Sequence, residues 1–219
     1  RSCSLFLAKT VFAIVMTLFF IFTKSLYPFQ TPMMFLWEYV FIGIGAFLLS
    51  LQPNSDKIKN GFMDTVALNA LPAGLIAVSM TITYFILDRS GMLPKNAYII
   101  YSVISFTAFS FIFLCKVCWK FDTYRFVICV GLFLLSVGLI FWDYYSLSIK
   151  LEGGLFGIGD YYEKLRGYTW WVMLIVIGAH MPLYAGLVSL SHWLKSYHTK
   201  RLQERLNRRF AEYENKQRS

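Results

Sequence analysis

Residues 4–23 read SLFLAKTVFAIVMTLFFIFT, and this stretch decides the class of the molecule. It is long, apolar and almost free of charge, with Lys9 its single ionised side chain. About 20 apolar residues at 1.5 Å rise span a hydrocarbon core of about 30 Å. Five further stretches of the same kind follow, separated by short charged links. The expected spans are 5–22, 33–51, 66–87, 97–114, 126–141 and 168–190. Lipid offers no hydrogen bonds to a peptide, so only helices or closed barrels cross it. None of these runs alternates with the period of two that a barrel strand needs. The expected fold is therefore all-α, a polytopic membrane bundle of about six transmembrane helices.

Composition agrees. The 219 residues are 57% hydrophobic and 15% charged, with a mean hydropathy of +0.54. A soluble domain carries about 25% charged residues. The positive charge sits in loops and tail, so nucleic acid is not an expected partner and the lipid bilayer is. Residue 1 is Arg and an apolar run begins within four residues, without a signal-peptide pattern. The expectation is a piece of a longer protein.

The distribution of Lys and Arg sets an orientation. One side holds Arg1, Lys9, Lys57, Lys59, Lys116, Lys120, Arg125 and the eight basic residues from Lys195 to Arg218, 15 in all. The other holds 6: Lys24, Arg89, Lys95, Lys150, Lys164 and Arg166. The positive-inside rule then places both termini in the cytoplasm. The link 23–32, with Pro28 and Pro32, makes an antiparallel hairpin of the first two spans. The segment 143–167, with Gly153, Gly154, Gly157 and Gly159, reads as an irregular external loop, and Asp143 as interfacial. Residues 191–219 form a basic amphipathic cytoplasmic tail, in which Leu202, Leu206, Phe210 and Tyr213 recur at helical spacing. Such a helix lies on an anionic membrane face, docks on a partner, or is simply solvated.

Few residues can carry chemistry. Glu38 lies inside the second span, where a carboxylate at the helix centre costs about 2.5–3.5 kcal/mol. It is either an ion or proton site facing the bundle or an interfacial side chain. Gly43 and Gly45 follow it. Their spacing lets the backbone bend or unwind, and freed carbonyls there can bind a cation; close packing by small residues is the alternative. Together Glu38, Gly43 and Gly45 are the candidate cation-path residues. Cys115 and Cys118 form a lone CxxC, read as small apolar residues in a last helical turn. His180, beside the helix-bending Pro182, reads as a packed polar residue. Gly131, Gly138, Gly178 and Gly186 are expected to permit close helix approach. No phosphate-binding loop, HExxH or GxSxG occurs, so the segment has no catalytic residues of its own and implies no cofactor.

Three of these stretches carry a family resemblance. Ser4-Leu-Phe-Leu-Ala-Lys-Thr10 opens the first span. Ile42-Gly-Ile-Gly-Ala-Phe-Leu-Leu-Ser-Leu-Gln-Pro-Asn54 closes the second, and Ala70-Leu-Pro-Ala-Gly-Leu75 begins the third. They resemble the patterns LFLxKT, IGIPxFFLxLEPN and xxPAG in the C-terminal membrane region of bacterial P-type cation-transporting ATPases, in the calcium-transporting, CtpE-like branch. The match is good over residues 1–75 and topological beyond. The resemblance implies the last six of ten helices of a plasma-membrane pump, forming part of the path for a cation such as calcium. It also implies an N-terminal part of the same pump, with ATP and magnesium used by its cytoplasmic domains. Two positions depart from the pattern: Gly45 stands for a Pro and Gln52 for a Glu. A stand-alone six-helix scaffold that binds partners through its basic tail is the competing expectation. No internal repeat favours a secondary transporter.

Overall fold

A computed structural model of the chain describes residues 2–52, 62–118, 122–148, 156, 159–165 and 170–218. Among the described residues the regular structure is all helical. Helix α1 is Ser2–Phe22, α3 Phe62–Arg89, α4 Tyr98–Val117, α5 Thr123–Ser148 and α6 Trp170–Arg218. Between α1 and α3 runs a composite rod: a 3-10 turn (Thr31–Met34), a π-helix (Leu36–Ile44) and a short α-helix, α2 (Gly45–Ser50). Five helices are long and apolar enough to cross a membrane, and the rod contributes a shorter apolar helix, Leu36–Ser50.

The local rules explain where the helices stop. Lys24 (φ 51°) and Gly91 (φ 78°) adopt left-handed backbone just past α1 and α3. In each case the next amide reaches back five residues, Ser25 N–H to Phe20 O (3.1 Å) and Met92 N–H to Leu87 O (3.0 Å). That capping satisfies carbonyls which would otherwise be orphaned in lipid.

Helix α1 packs most extensively on α3, and the reason is Gly74. A methyl group there would stand 2.8 Å from the Ala8 carbonyl oxygen and from Val11 Cβ. Two residues earlier, Pro72 lacks an N–H and leaves the Leu68 carbonyl without its helical donor. Ser191 of α6 reaches it, its hydroxyl shared between Leu68 O (3.2 Å) and Val188 O of its own helix (2.7 Å). One short Pro-Ala-Gly motif thus seats α3 against α1 on one side and α6 on another. The other glycines behave differently from expectation. A Cβ at Gly131, Gly138, Gly178 or Gly186 would meet nothing within 4 Å. They do not mediate close approach within this chain, because these parts of α5 and α6 face outward.

Helix α4 is the most enclosed. It buries Tyr101, Ser102, Ser105, Phe106 and Ser110. Phe106 meets Phe12 of α1 at 4.8 Å and Trp37 of the rod at 5.3 Å between ring centroids. Ser105 exchanges a 2.7 Å hydrogen bond with the buried Tyr84 hydroxyl of α3.

The rod is tied at both ends to α5, which runs antiparallel to it. At the N-terminal end of α5, the Tyr124 hydroxyl donates to Leu48 O (2.9 Å) and Arg125 Nε to Gln52 Oε1 (2.8 Å). At the other end, Asp143 Oδ1 accepts the Phe156 N–H (3.0 Å), and Phe156 stacks on Phe35 (5.1 Å, 16°). Asp143, at the end of its span, is fully buried. It was legible only as the end of a span; its task is to hold the following segment. Of that segment, Gly159–Leu165 forms a 3-10 helix, and Gly153, Gly154 and Gly157 lie outside the described residues. Exposed Trp142, Tyr144, Tyr145, Trp170 and Trp171 gather at this end, as aromatics do at a membrane interface.

Helix α6 continues without a break from the apolar Trp170 region to Arg218. The backbone of 191–218 is the prolongation of the sixth span, so it leaves the bundle along that helix axis. The side chains of the stripe Leu202–Tyr213 lie outside those described.

Candidate functional site

Glu38 sits in the first turn of the π-helix, and its carboxylate is paired. Lys9 Nζ of α1 lies 2.8 Å from Glu38 Oε2. This is the one ion pair among the described residues. The two charges that interrupt the first two apolar runs therefore find each other, which lowers the cost of keeping either in hydrocarbon. Sequence reading placed Lys9 with the cytoplasmic charges and missed this partnership. The available signal was that each run carries one charge of opposite sign.

Three contacts position the pair. Ala8, next to Lys9, is the residue against which Gly74 closes. Trp37, next to Glu38, is buried edge-on against Phe12 (4.9 Å, 86°). Tyr39 stacks on Phe35 (4.9 Å, 22°), continuing the stack that Phe156 begins. On the opposite side of α1 the loop residue Tyr27 feels the pair's carboxylate. Burial, and secondarily the charge of Glu38, hold its phenol above the usual value.

The pair faces outward. Lys9 is 37% and Glu38 23% exposed, at the edge of the buried stripe of α1, one turn from exposed Phe6. Behind it the bundle is closed and apolar. A void of about 20 Å³ between α1, the rod, α3 and α4 is lined by Phe41, Ile42, Phe109 and Phe113 among others. It has room for about one water. Any path for an ion past Glu38 therefore runs along the uncovered flank, not through the centre of this chain.

The two glycines part company. Gly43 lies one π-turn after Glu38, where a Cβ would meet the Glu38 carbonyl oxygen at 3.4 Å. It shares that residue's face. Gly45 is buried on the other face, where a Cβ would meet Leu132 Cδ1 at 3.3 Å and Leu114 Cδ1 at 3.6 Å. The helix there is not unwound. It is π-wound over Leu36–Ile44 and returns to α at Gly45, with right-handed helical dihedrals at the junction. Long π segments are rare and concentrate at functional sites. Gln52, the second departure from the family pattern, is far along the rod and occupied by Arg125.

Among the described residues no group of three or more His, Cys, Asp or Glu side chains is arranged to hold a metal ion. Cys115 and Cys118 are joined by a residue the spacing could not reveal, Cys129 of α5, which lies close enough to interact with both. His180 is buried, its Nδ1 2.8 Å from Val176 O.

Comparison with known proteins gives three relatives. The chain is 28% identical over 200 residues to the calcium-transporting ATPase CtpE of Mycolicibacterium smegmatis, matching its C-terminal part. That alignment covers 81% of this chain and 25% of the relative. The calcium-transporting ATPases CtpE of Mycobacterium bovis and Mycobacterium tuberculosis are 35% identical over 95 residues, 38% of this chain and 12% of theirs. The chain thus spans about a quarter of the length of the first of these relatives. No protein-family model matches it, and neither does any solved structure. The resemblance drawn from the three sequence stretches holds: this is an all-helical chain related to the C-terminal part of bacterial calcium-transporting ATPases.

Proposed function

We propose that the chain is the membrane-embedded C-terminal part of a P-type ATPase in a bacterial plasma membrane, both termini cytoplasmic, and that it forms one wall of a calcium path. The observation that carries this is the Lys9–Glu38 pair, set on a π-wound helix and turned to the flank the chain leaves uncovered. The relatives supply the context, since the matched part is a quarter of a calcium-transporting ATPase. Glu38 gives one carboxylate, and the Gly43 turn below it gives main-chain oxygen free of side-chain cover. Gly45 keeps the lower rod close to α4 and α5. Other helices of the pump complete the ligand shell, and its cytoplasmic domains use ATP and magnesium. In this reading Lys9 holds the carboxylate while no ion is bound, and a divalent cation displaces it.

Two measurements test the proposal. The reading frame ahead of Arg1 is expected to encode Asp-Lys-Thr-Gly-Thr and a nucleotide-binding domain; an initiator Met directly before Arg1 removes the pump. In the full pump, Glu38→Gln is expected to weaken calcium-dependent phosphoenzyme formation, and Lys9→Met to strengthen it. Unchanged calcium dependence in both variants takes the pair out of the path.

A further inference from the structure

We infer that the end of the bundle opposite the N-terminus carries a binding pocket for the phosphate of an anionic phospholipid headgroup. The pocket has a volume of about 630 Å³ and lies where α1 and α3 end and α4 begins. It is separate from the Lys9–Glu38 pair and uses none of its residues.

Three cations line it, Lys24, Arg89 and Lys95, against one acid, Asp88. None of the three is within ion-pair distance of a carboxylate among the described residues. Arg89 instead lies over the Phe85 ring at 5.2 Å. Asp88 is answered by the charges of Lys164 and Arg89 as well as by the backbone at Asn96 and Ala97, so it offsets one of these cations. The helix ends change this sum little. Each terminus carries about half a charge, negative for α1 and α3 and positive for α4. Among the described side chains that line it, the pocket stays positive by more than one charge. Such a field repels calcium, so this is not an ion exit, and it attracts a phosphate.

Geometry favours a lipid over a free anion. The cations sit on the rim of apolar spans, with Leu26, Phe85 and Ile99 continuing the lining below them. A headgroup phosphate among the cations would set its glycerol and acyl chains against these side chains. The cations are also placed by backbone: Lys24 occupies the left-handed cap of α1, and Asn96 (φ 63°) the turn into α4.

The test uses the full chain in phosphatidylcholine vesicles holding a minority of phosphatidylglycerol, with spin-labelled lipids read by electron paramagnetic resonance. Each basic side chain near a membrane surface favours an anionic lipid about fivefold. The unsubstituted chain is expected to immobilise labelled phosphatidylglycerol at least about fivefold over labelled phosphatidylcholine. Lys24→Asn, which tolerates the left-handed backbone, combined with Lys95→Gln should bring the two lipids close to parity. Lys195→Gln, at the other end of the span, should leave most of the preference in place. Equal immobilisation of both lipids by the unsubstituted chain overturns the inference, as does a preference that survives the double substitution. Erasure by excess inorganic phosphate, but not by chloride at equal ionic strength, overturns the lipid in favour of a free anion.

Discussion

Gly74→Ala is the sharpest test of how the site is built. The new methyl would stand 2.8 Å from the Ala8 carbonyl oxygen and from Val11 Cβ and Cγ1. Carbon atoms rest at about 3.5–4.0 Å, so α1 must retreat by roughly 0.7–1.2 Å. The obstacle is a backbone oxygen and a β-branched side chain, neither of which can swing aside. Overpacking of this kind costs about 1–3 kcal/mol. Ala also gains about 1 kcal/mol of helix propensity over Gly, which would mask part of the loss. Gly131→Ala removes that ambiguity, because its methyl meets nothing within 4 Å. The difference between the two variants isolates the crossing and should be about 1–3 kcal/mol, with Gly74→Ala the less stable. Unfolding in mixed micelles, followed by tryptophan fluorescence, measures it. Since Lys9 rides on the same turn of α1 as Ala8, the retreat also lengthens its 2.8 Å approach to Glu38. Equal stabilities for the two variants would refute the claim that Gly74 seats α1.

Other consequences follow from single contacts. Ser191→Ala removes the donor to the Leu68 carbonyl and should cost about 0.6 kcal/mol, the mean for such interhelical bonds in membranes; in a Pro72→Ala background, where the helix donor returns, the same unfolding assay should show almost no cost. Gln52→Glu replaces a neutral bond to Arg125 by an ion pair on a partly exposed surface and should raise stability by about 0.2–1 kcal/mol, an increment that high salt removes. Burial first, and the carboxylate of Asp143 second, raise the Tyr162 phenol above its usual range. A raised folded pKa stabilises the fold fully below the unfolded value of about 10 and loses that stability as pH climbs beyond it. In an ultraviolet titration Tyr162 should ionise late, and Asp143→Asn should bring its step to lower pH; a step unmoved by that substitution sinks the assignment of cause.

What could be read without coordinates was the part governed by the solvent. Hydrocarbon forces each apolar run into helix, and the run lengths locate α1, α3 and α4 to within a few residues, while α5 runs seven residues past the expected end. The ends were harder, because they depend on caps that propensity does not announce. Lys24 takes a left-handed cap without being glycine. Past the sixth span the polarity changes at Ser191 while the helix runs on to Arg218.

The site shows the same division at closer range. Glu38 stood out because a carboxylate is expensive in lipid, and that argument needs no partner. Its partner came from another helix, and which helix depends on α1 being drawn against α3 by a glycine 65 residues further along than Lys9. Glycines were the least legible feature for this reason. Read along the chain, Gly43, Gly45, Gly74 and Gly131 are the same residue. In space Gly43 shares the face of Glu38, Gly45 admits Leu114 and Leu132, Gly74 admits the backbone of α1, and Gly131 admits nothing within this chain. Only the neighbour decides what a missing side chain is for. A substitution series across these four positions should therefore separate by neighbour, not by helix: costly at Gly74, smaller at Gly45 where flexible leucine methyls can yield, and neutral or stabilising at Gly131. If the four alanine variants instead ranked by helix propensity alone, the packing account of the site would have no support.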